Sequence, residues 1–114
     1  MTKIYHNPRC SKSRETLQLL KDQGIEPEVV LYLETPPDAK TIATLLKQLG
    51  LKPRELMRTK EAEYKEQGLN NPDLSDDQLI KAMVSTPKLI ERPIVVNGDK
   101  AALGRPPEQV LEIL

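Results

Sequence analysis

The chain has 114 residues, 38% hydrophobic and 30% charged, which suffices for one domain with a core and is too short for two ordinary ones. Lysine plus arginine equal aspartate plus glutamate at 17 each, so the net charge is zero and no global basic field gathers nucleic acid or anionic lipid. With no Trp, no Phe and 3 Tyr there is no stacking platform for single-stranded bases, and the single cysteine permits neither an internal disulfide nor a cysteine-rich metal cage.

The opening MTKIYHNPRC lacks the apolar core of a signal peptide, and no apolar run approaches the roughly 20 residues that cross a bilayer. A soluble, cytoplasmic protein without nucleic-acid or membrane partners is expected. Lys3 to His6, with Ile4 and Tyr5 as its apolar members, reads as a strand that stops at Asn7-Pro8. Ser11 to Gln23 reads as a helix with Leu17, Leu19 and Leu20 on one face and Gly24 as its left-handed cap. The run Val29-Val30-Leu31-Tyr32-Leu33 has the character of a strand buried on both faces, so a parallel β-α-β unit is predicted.

Thr35-Pro36-Pro37-Asp38 offers an N-cap, a first-turn proline and an acid suited to the positive end of a helix dipole. Ala39, Ile42, Leu45, Leu46 and Leu49 then repeat at helical spacing up to Gly50. Pro53 opens a short helix through Met57, a charged segment runs from Glu61 to Gln67, and Gly68 to Pro72 is the densest candidate for a mobile loop. Ser75 and Gln78 form a capping box ahead of Leu79, Ile80, Met83 and Val84. Pro93 to Val96, Asn97-Gly98 and Lys100 to Leu103 predict an antiparallel hairpin on a type I′ turn. Arg105-Pro106-Pro107-Glu108 opens a last helix whose Val110, Leu111, Ile113 and Leu114 cover the sheet. This order resembles the α/β thioredoxin/glutaredoxin-like fold. It implies a four-stranded mixed sheet and a single domain over residues 1–114, with a helical insertion at about 36–87 between the β-α-β and β-β-α halves.

Cys10 falls between the first strand and the first helix, where unpaired backbone N–H groups and the helix dipole favour negative charge. A free cysteine has a pKa of about 8.5, and helix N-termini with nearby cations lower it to roughly 3.5–7.5. Arg9, Lys12 and Arg14 make the neighbourhood cationic although the chain is neutral. A lone cysteine can also be no more than a small buried apolar residue; its position after Asn7-Pro8 favours the nucleophile. Ser13 occupies the second-cysteine position of a C-x-x-C pair, so no intramolecular disulfide forms there, and Thr16 stands where a phosphatase-type loop needs arginine.

His6 to Arg14, Leu31 to Pro37, Leu56-Met57-Arg58, Glu91 to Val96 and Gly104-Arg105-Pro106 resemble, end to end, the landmarks of the glutaredoxin-coupled, ArsC-type arsenate reductases. Arg9-Cys10-Ser11-Lys12-Ser13 is similar to the family's YfgD-like branch, where other members carry Ala-Cys-Gly-Thr-Ser. The resemblance implies Cys10 as nucleophile, Arg58, Arg92 and Arg105 as ligands of the oxyanion, and His6 as an aid to the thiolate. Ser13, Arg14 and Pro93 are supporting residues, Pro93 at the place where the thioredoxin fold commonly has a cis-proline. Guanidinium groups suit a tetrahedral oxyanion because they bind it in bidentate fashion. Taken alone, an isolated arginine is usually a surface residue, and His6 could equally satisfy a loop hydrogen bond. Tyr5, Tyr32 and Tyr64 read as packing residues.

The mechanism so implied begins with capture of the oxyanion by the helix N-terminus and Arg58, Arg92 and Arg105, followed by attack of the Cys10 thiolate on arsenic, with glutathione as co-substrate, glutaredoxin as partner and no bound cofactor or metal. Two alternatives are a glutathione-dependent monothiol oxidoreductase and an Spx-like regulator that binds RNA polymerase. Spx proteins generally carry a C-x-x-C switch, which Ser13 breaks here.

Overall fold

The computed structural model describes residues 1–114 and has a sheet of four strands, β1 (Thr2–Tyr5), β2 (Glu28–Val30), β3 (Ile94–Asn97) and β4 (Lys100–Leu103), in the order β2-β1-β3-β4. β1 runs parallel to β2 and antiparallel to β3, and β3 runs antiparallel to β4. Ile4 lies beside Val29 on one side and Val95 on the other, and Val95 lies beside Ala102, so one apolar row crosses the sheet. Ile4 and Val95 are fully buried with Leu20 of helix α1 (Ser11–Asp22) and with Val110, and Leu17, Leu19, Ile25 and Ile113 complete this core. Helix α1 stops at Gly24, whose φ of 77° lets its N–H reach Lys21 O at 2.9 Å while Ile25 N–H reaches Leu20 O at 3.0 Å.

Two compact units divide the chain: Met1–Thr35 with Arg92–Leu114, which holds the sheet, and Pro36–Glu91, which is helical. The helical unit extends to Glu91, beyond the expected end of the insertion. It contains α2 (Ala39–Leu49), α3 (Pro53–Leu56), α4 (Ala62–Glu66), α5 (Asp76–Ser85) and a 3₁₀ turn at Pro87–Leu89. Helices α2 and α3 pack on α5, burying Ile42, Leu45, Leu46, Leu56, Leu79, Ile80 and Met83. The capping box at the start of α5 forms as predicted, with Ser75 Oγ accepting from Gln78 N and Gln78 Oε1 from Ser75 N. At α2 the cap is Asp38, which accepts from Thr41 N at 2.8 Å, rather than Thr35. Pro36-Pro37 intervenes, so the first residue able to begin the hydrogen-bonded turn is the one after the prolines. Arg54 donates to Tyr64 Oη at 2.7 Å and to the carbonyls of Leu69 and Asn71, which ties down the expected loop at Gly68 to Pro72.

Three expectations need correction. The apolar run at Val29–Leu33 is not a strand buried on both faces: β2 ends at Val30, and Val29 and Leu33 are 43% and 45% exposed. As an edge strand β2 has one neighbour, and beyond Val30 the chain turns, with Glu34 N and Thr35 N both on Leu31 O. Only Tyr32 of the run's second half is buried. The hairpin turn is Gly98-Asp99, because Asn97 remains in the ladder opposite Lys100 and only Gly98 has positive φ. That is the sign pattern of a II′ turn rather than I′. Asn97 instead donates from Nδ2 to Ile113 O at 2.7 Å, holding the C-terminal segment on the sheet. That segment, Pro107–Ile113, is a 3₁₀ helix. Its three-residue period buries Pro107 and Val110 on one side and leaves Leu111 40% exposed, so Leu111 and Leu114 do not cover the sheet.

Gly104 ends β4 at a point of close approach. Its N–H donates to Pro93 O at 3.0 Å, and a Cβ there would sit 2.7 Å from Pro93 Cγ and nearer still to Thr16 Oγ1. Thr16 is itself buried and donates to Lys12 O at 2.8 Å, so it has little freedom to retreat. Gly104→Ala should therefore destabilise the protein by about 1–3 kcal/mol through overpacking, seen as a lower urea midpoint at unchanged m-value. The same substitution at Gly98 meets no neighbouring atom within 4 Å and carries only the backbone penalty of its φ of 64°.

Candidate active site

The register of the sheet decides which loops meet. Tyr5, the last residue of β1, pairs with Ile94, the first of β3, and Ile94 pairs with Leu103, the last of β4. The loop from His6 to Cys10, the Arg92-Pro93 step and the Gly104-Arg105-Pro106 segment therefore emerge at one end of the sheet. Both X-Pro bonds there, Arg92-Pro93 and Arg105-Pro106, are cis; the first was expected from the fold pattern and the second was not.

Cys10 is the N-cap of α1, extended at φ −96° and ψ 123°, and is 9% exposed. Asn7 builds the approach to it: its carbonyl accepts from Cys10 N at 3.0 Å and its Oδ1 accepts from Arg9 N at 3.0 Å. Burial pushes the Cys10 thiol pKa up, but this is outweighed by the backbone N–H of Ser13, the charge of Arg92, the backbone N–H of Lys12 and a hydrogen bond from Arg92, so the thiol lies below its ordinary value. The helix end and one guanidinium thus favour the thiolate together. Arg14, which flanks the cysteine in sequence, donates to Pro8 O at 2.9 Å and braces the loop.

Ser13 is fully buried, and its Oγ lies 2.6 Å from His6 Nδ1 and accepts from Asn7 N at 3.0 Å. His6 is buried, and desolvation, followed by the charges of Arg14 and Lys21, lowers its pKa, so the imidazole is neutral at neutral pH. His6 thus meets Ser13, whose backbone N–H is among the groups that lower the Cys10 thiol pKa. Of the two readings that the sequence left open for His6, the structure shows the loop hydrogen bond, to Ser13 Oγ.

Arg92 enters from the start of β3, with Nε and Nη1 buried, and Arg105 donates from Nη1 to Arg92 O at 3.1 Å while remaining exposed. Pro93 is buried beneath them. Arg58 belongs to the helical unit, where its guanidinium lies 2.8 Å from Glu61 Oε1 and 3.8 Å from Glu91 Oε1. Cys10, His6, Ser13, Arg14, Arg92, Pro93 and Arg105 are gathered at one end of the sheet-bearing unit. Sequence reasoning missed Asn7 as the organiser of the cysteine loop, although an Asn before Pro is the residue type that closes such turns with its own side chain. No three metal-ligating side chains gather in a group able to hold an ion, and no helix is long and apolar enough to cross a membrane.

A four-stranded mixed sheet with its one cysteine at the head of the first helix defines a protein of thioredoxin-like fold. The chain is 68% identical over 113 residues to YfgD of Escherichia coli K12, covering 98% of this chain and 95% of that one. It is 54% identical over 112 residues to a Haemophilus influenzae protein named arsenate reductase, covering 97% of each. The structure of an arsenate reductase from Vibrio cholerae matches it with a TM-score of 0.98 at 60% identity, over 99% of this chain and 97% of that one. Residues 5–113 match the ArsC family as a whole, and the chain belongs to that family.

Two measurements probe this arrangement. The rate of Cys10 alkylation against pH should inflect below the value of about 8.5 for a free cysteine, and Arg92→Ala should move the inflection upward. An inflection at the free value in the unaltered protein would contradict an activated thiol. For His6, a folded pKa below the unfolded value of about 6.5 means that the unfolded state binds more protons on the acid side. Its contribution to stability is complete above about pH 6.5 and is lost as pH falls through the lowered folded pKa. Urea midpoints between pH 7.5 and pH 5 should therefore decline, and His6→Asn should flatten that decline.

Proposed function

We propose that this protein is an arsenate reductase in which Cys10 is the nucleophile and glutathione with glutaredoxin supplies the electrons. The observation that carries the reading is Cys10 buried at the head of α1, its thiol held below the ordinary value by Ser13 and Lys12 N–H and by Arg92, in a chain whose ArsC relatives include proteins named arsenate reductase. The same donors that favour a thiolate favour an oxyanion approaching it. Arg105, exposed and held beside Arg92 by its backbone carbonyl, adds a second guanidinium at that end of the sheet. Arg58 is assigned to the oxyanion by the family pattern, and an anion bound there would compete with Glu61 and Glu91 for it.

In this mechanism the Cys10 thiolate attacks arsenic and an arsenate oxygen leaves as water. Glutathione displaces a second oxygen as water and gives an arsenic(V) centre bonded to both sulfurs. The thiolate of glutaredoxin attacks the glutathione sulfur, and the arsenic–sulfur electron pair remains on arsenic, which becomes arsenic(III). Hydrolysis releases arsenite and regenerates Cys10. A second glutathione reduces the glutaredoxin mixed disulfide, so two glutathione thiols end as one disulfide and two electrons have moved. This stoichiometry follows from the protein's single cysteine, which cannot close a disulfide by itself.

Arsenate-dependent NADPH oxidation, coupled through glutathione, glutaredoxin and glutathione reductase, tests the proposal. Turnover should require Cys10, and the rate should rise with glutathione and stay first order in enzyme. Arg92→Ala and Arg105→Ala should each lower kcat/KM about ten- to hundredfold, because a charge-assisted hydrogen bond contributes roughly 1.5–3 kcal/mol. No arsenate turnover with an intact, reactive Cys10 would favour a glutathione-dependent monothiol oxidoreductase instead, and sustained turnover on thioredoxin alone would reject the glutathione route.

A further inference from the structure

Every backbone donor in the loop that ends at the thiol is already engaged. His6 N donates to Val30 O at 2.8 Å and Asn7 N to Ser13 Oγ at 3.0 Å, Pro8 has no N–H, Arg9 N donates to Asn7 Oδ1 at 3.0 Å and Cys10 N to Asn7 O at 3.0 Å. Asn7 takes part in all of these bonds except that of His6. Its side chain closes an Asx turn that ends at Arg9, and its carbonyl closes a β-turn that ends at Cys10, with Pro8 at the position whose φ proline pre-sets. Its own N–H fastens the start of both turns to Ser13, a buried residue in the first turn of α1. Arg9 is exposed, so water competes for its N–H and only the Asn7 side chain keeps that end of the loop in place. Of the N–H groups at the head of α1, that of Arg14 is spent on Cys10 O at 3.0 Å, while those of Ser13 and Lys12 lower the Cys10 thiol pKa.

We infer that Asn7 is the positioning residue of the nucleophile: its side-chain oxygen, by holding Arg9 N, fixes the turn that delivers Cys10 to the head of α1. Hydrogen bonds to an ionised group lose strength quickly with misalignment, so a small displacement of the cysteine backbone weakens the donors that favour the thiolate. The same wiring leaves the His6–Cys10 loop without a backbone N–H to offer an anion, and contacts to an oxyanion beyond those of the helix end fall to side chains. Arg92, which also lowers the thiol pKa, arrives from the start of β3 and does not depend on Asn7, so loss of the Asn7 side chain removes part of the activation and not all of it. The inference deepens the proposed function and rests on that reading for the role given to the thiolate.

Its test needs no arsenate. Pro8 keeps residue 7 in the extended region whatever its side chain, so Asn7→Ala removes the acceptor without freeing the backbone. The rate of alkylation by neutral iodoacetamide is followed against pH in folded protein, with the urea midpoint of each variant measured alongside. Asn7→Ala should move the inflection upward by about one pH unit. Asn7→Ser, whose hydroxyl closes the same turn more weakly, should recover about half of that shift. A merely structural brace would lower the urea midpoint and leave the inflection where it is. An unchanged inflection in Asn7→Ala, or equal shifts in the alanine and serine variants, would therefore overturn the inference. Hydrogen exchange in the unaltered protein adds an arm that needs no variant: the Arg9 amide should be protected although Arg9 is exposed, and exchange at the free-peptide rate would overturn the inference as well. An activated Cys10 that Asn7→Ala does not affect would leave the proposed function standing, whereas the expected shifts in a protein without arsenate turnover would uphold Asn7 and count against that function.

Discussion

A buried cysteine is a poor place for negative charge, and the structure around Cys10 offsets that cost. The offset comes from groups fixed by the fold: two backbone N–H groups at the head of α1 and the Arg92 guanidinium. The two N–H groups are local to Cys10, but Arg92 is far along the chain from it. It arrives through the antiparallel pairing of β1 with β3, which sets Tyr5 opposite Ile94 and so puts the exit of one strand beside the entry of the other. A slip of one residue in that register would reverse the faces of the strand and move Arg92 away from the thiol together. Core packing and site assembly are therefore specified by the same ladder, because Ile4 and Val95, one step further in, are the buried pair of the sheet.

The loop between β1 and α1 is held by a short relay. Ser13 Oγ sits between His6 Nδ1 and Asn7 N, the Asn7 carbonyl receives Cys10 N, and His6 N is anchored on Val30 O at 2.8 Å. The buried side chains of this relay, His6 and Ser13, are partnered, which is what burial demands of them. A neutral imidazole serves the relay better than a charged one, since the surroundings already carry Arg14 and Lys21. The packing beneath is equally constrained: Thr16, Pro93 and Gly104 meet with no room for a Cβ, so α1, β3 and β4 are locked at the end of the sheet where the thiol lies.

Electrostatics in the helical unit follow a different logic. Arg58, Glu61, Lys88 and Glu63 form a chain of alternating charges, with Glu91 against Arg58. Glu63 is held below the usual carboxylate range by its backbone hydrogen bond and by Lys88. The unit closes on itself at the Met57–Ile90 bridge, where Arg58 N donates to Leu89 O and Glu91 N to Leu56 O. Arg58 is thus a structural cation as well as the position that the family pattern assigns to the oxyanion.

Local rules acting on the sequence determined a good part of this. The Gly24 cap, the Ser75–Gln78 box, the helical face Ile42-Leu45-Leu46 and the place of Cys10 before α1 depend on residues within a few positions of one another, and each forms as those residues require. The thioredoxin-like order of elements was legible for the same reason. What failed depended on neighbours in space: the Val29–Leu33 run is apolar enough for a central strand but occupies an edge, and Leu111 and Leu114 fit an α-helical pattern that a 3₁₀ helix does not honour. Within the site, sequence could nominate Cys10, Arg92 and Arg105 but could not tell that Arg92 is the one with buried guanidinium nitrogens and that the exposed Arg105 donates to its carbonyl. It could not see that His6 meets Ser13 either, because that contact requires the loop to fold back on the first turn of α1. Spacing along the chain sets which residues are available, and the register of β1, β3 and β4 decides which of them meet.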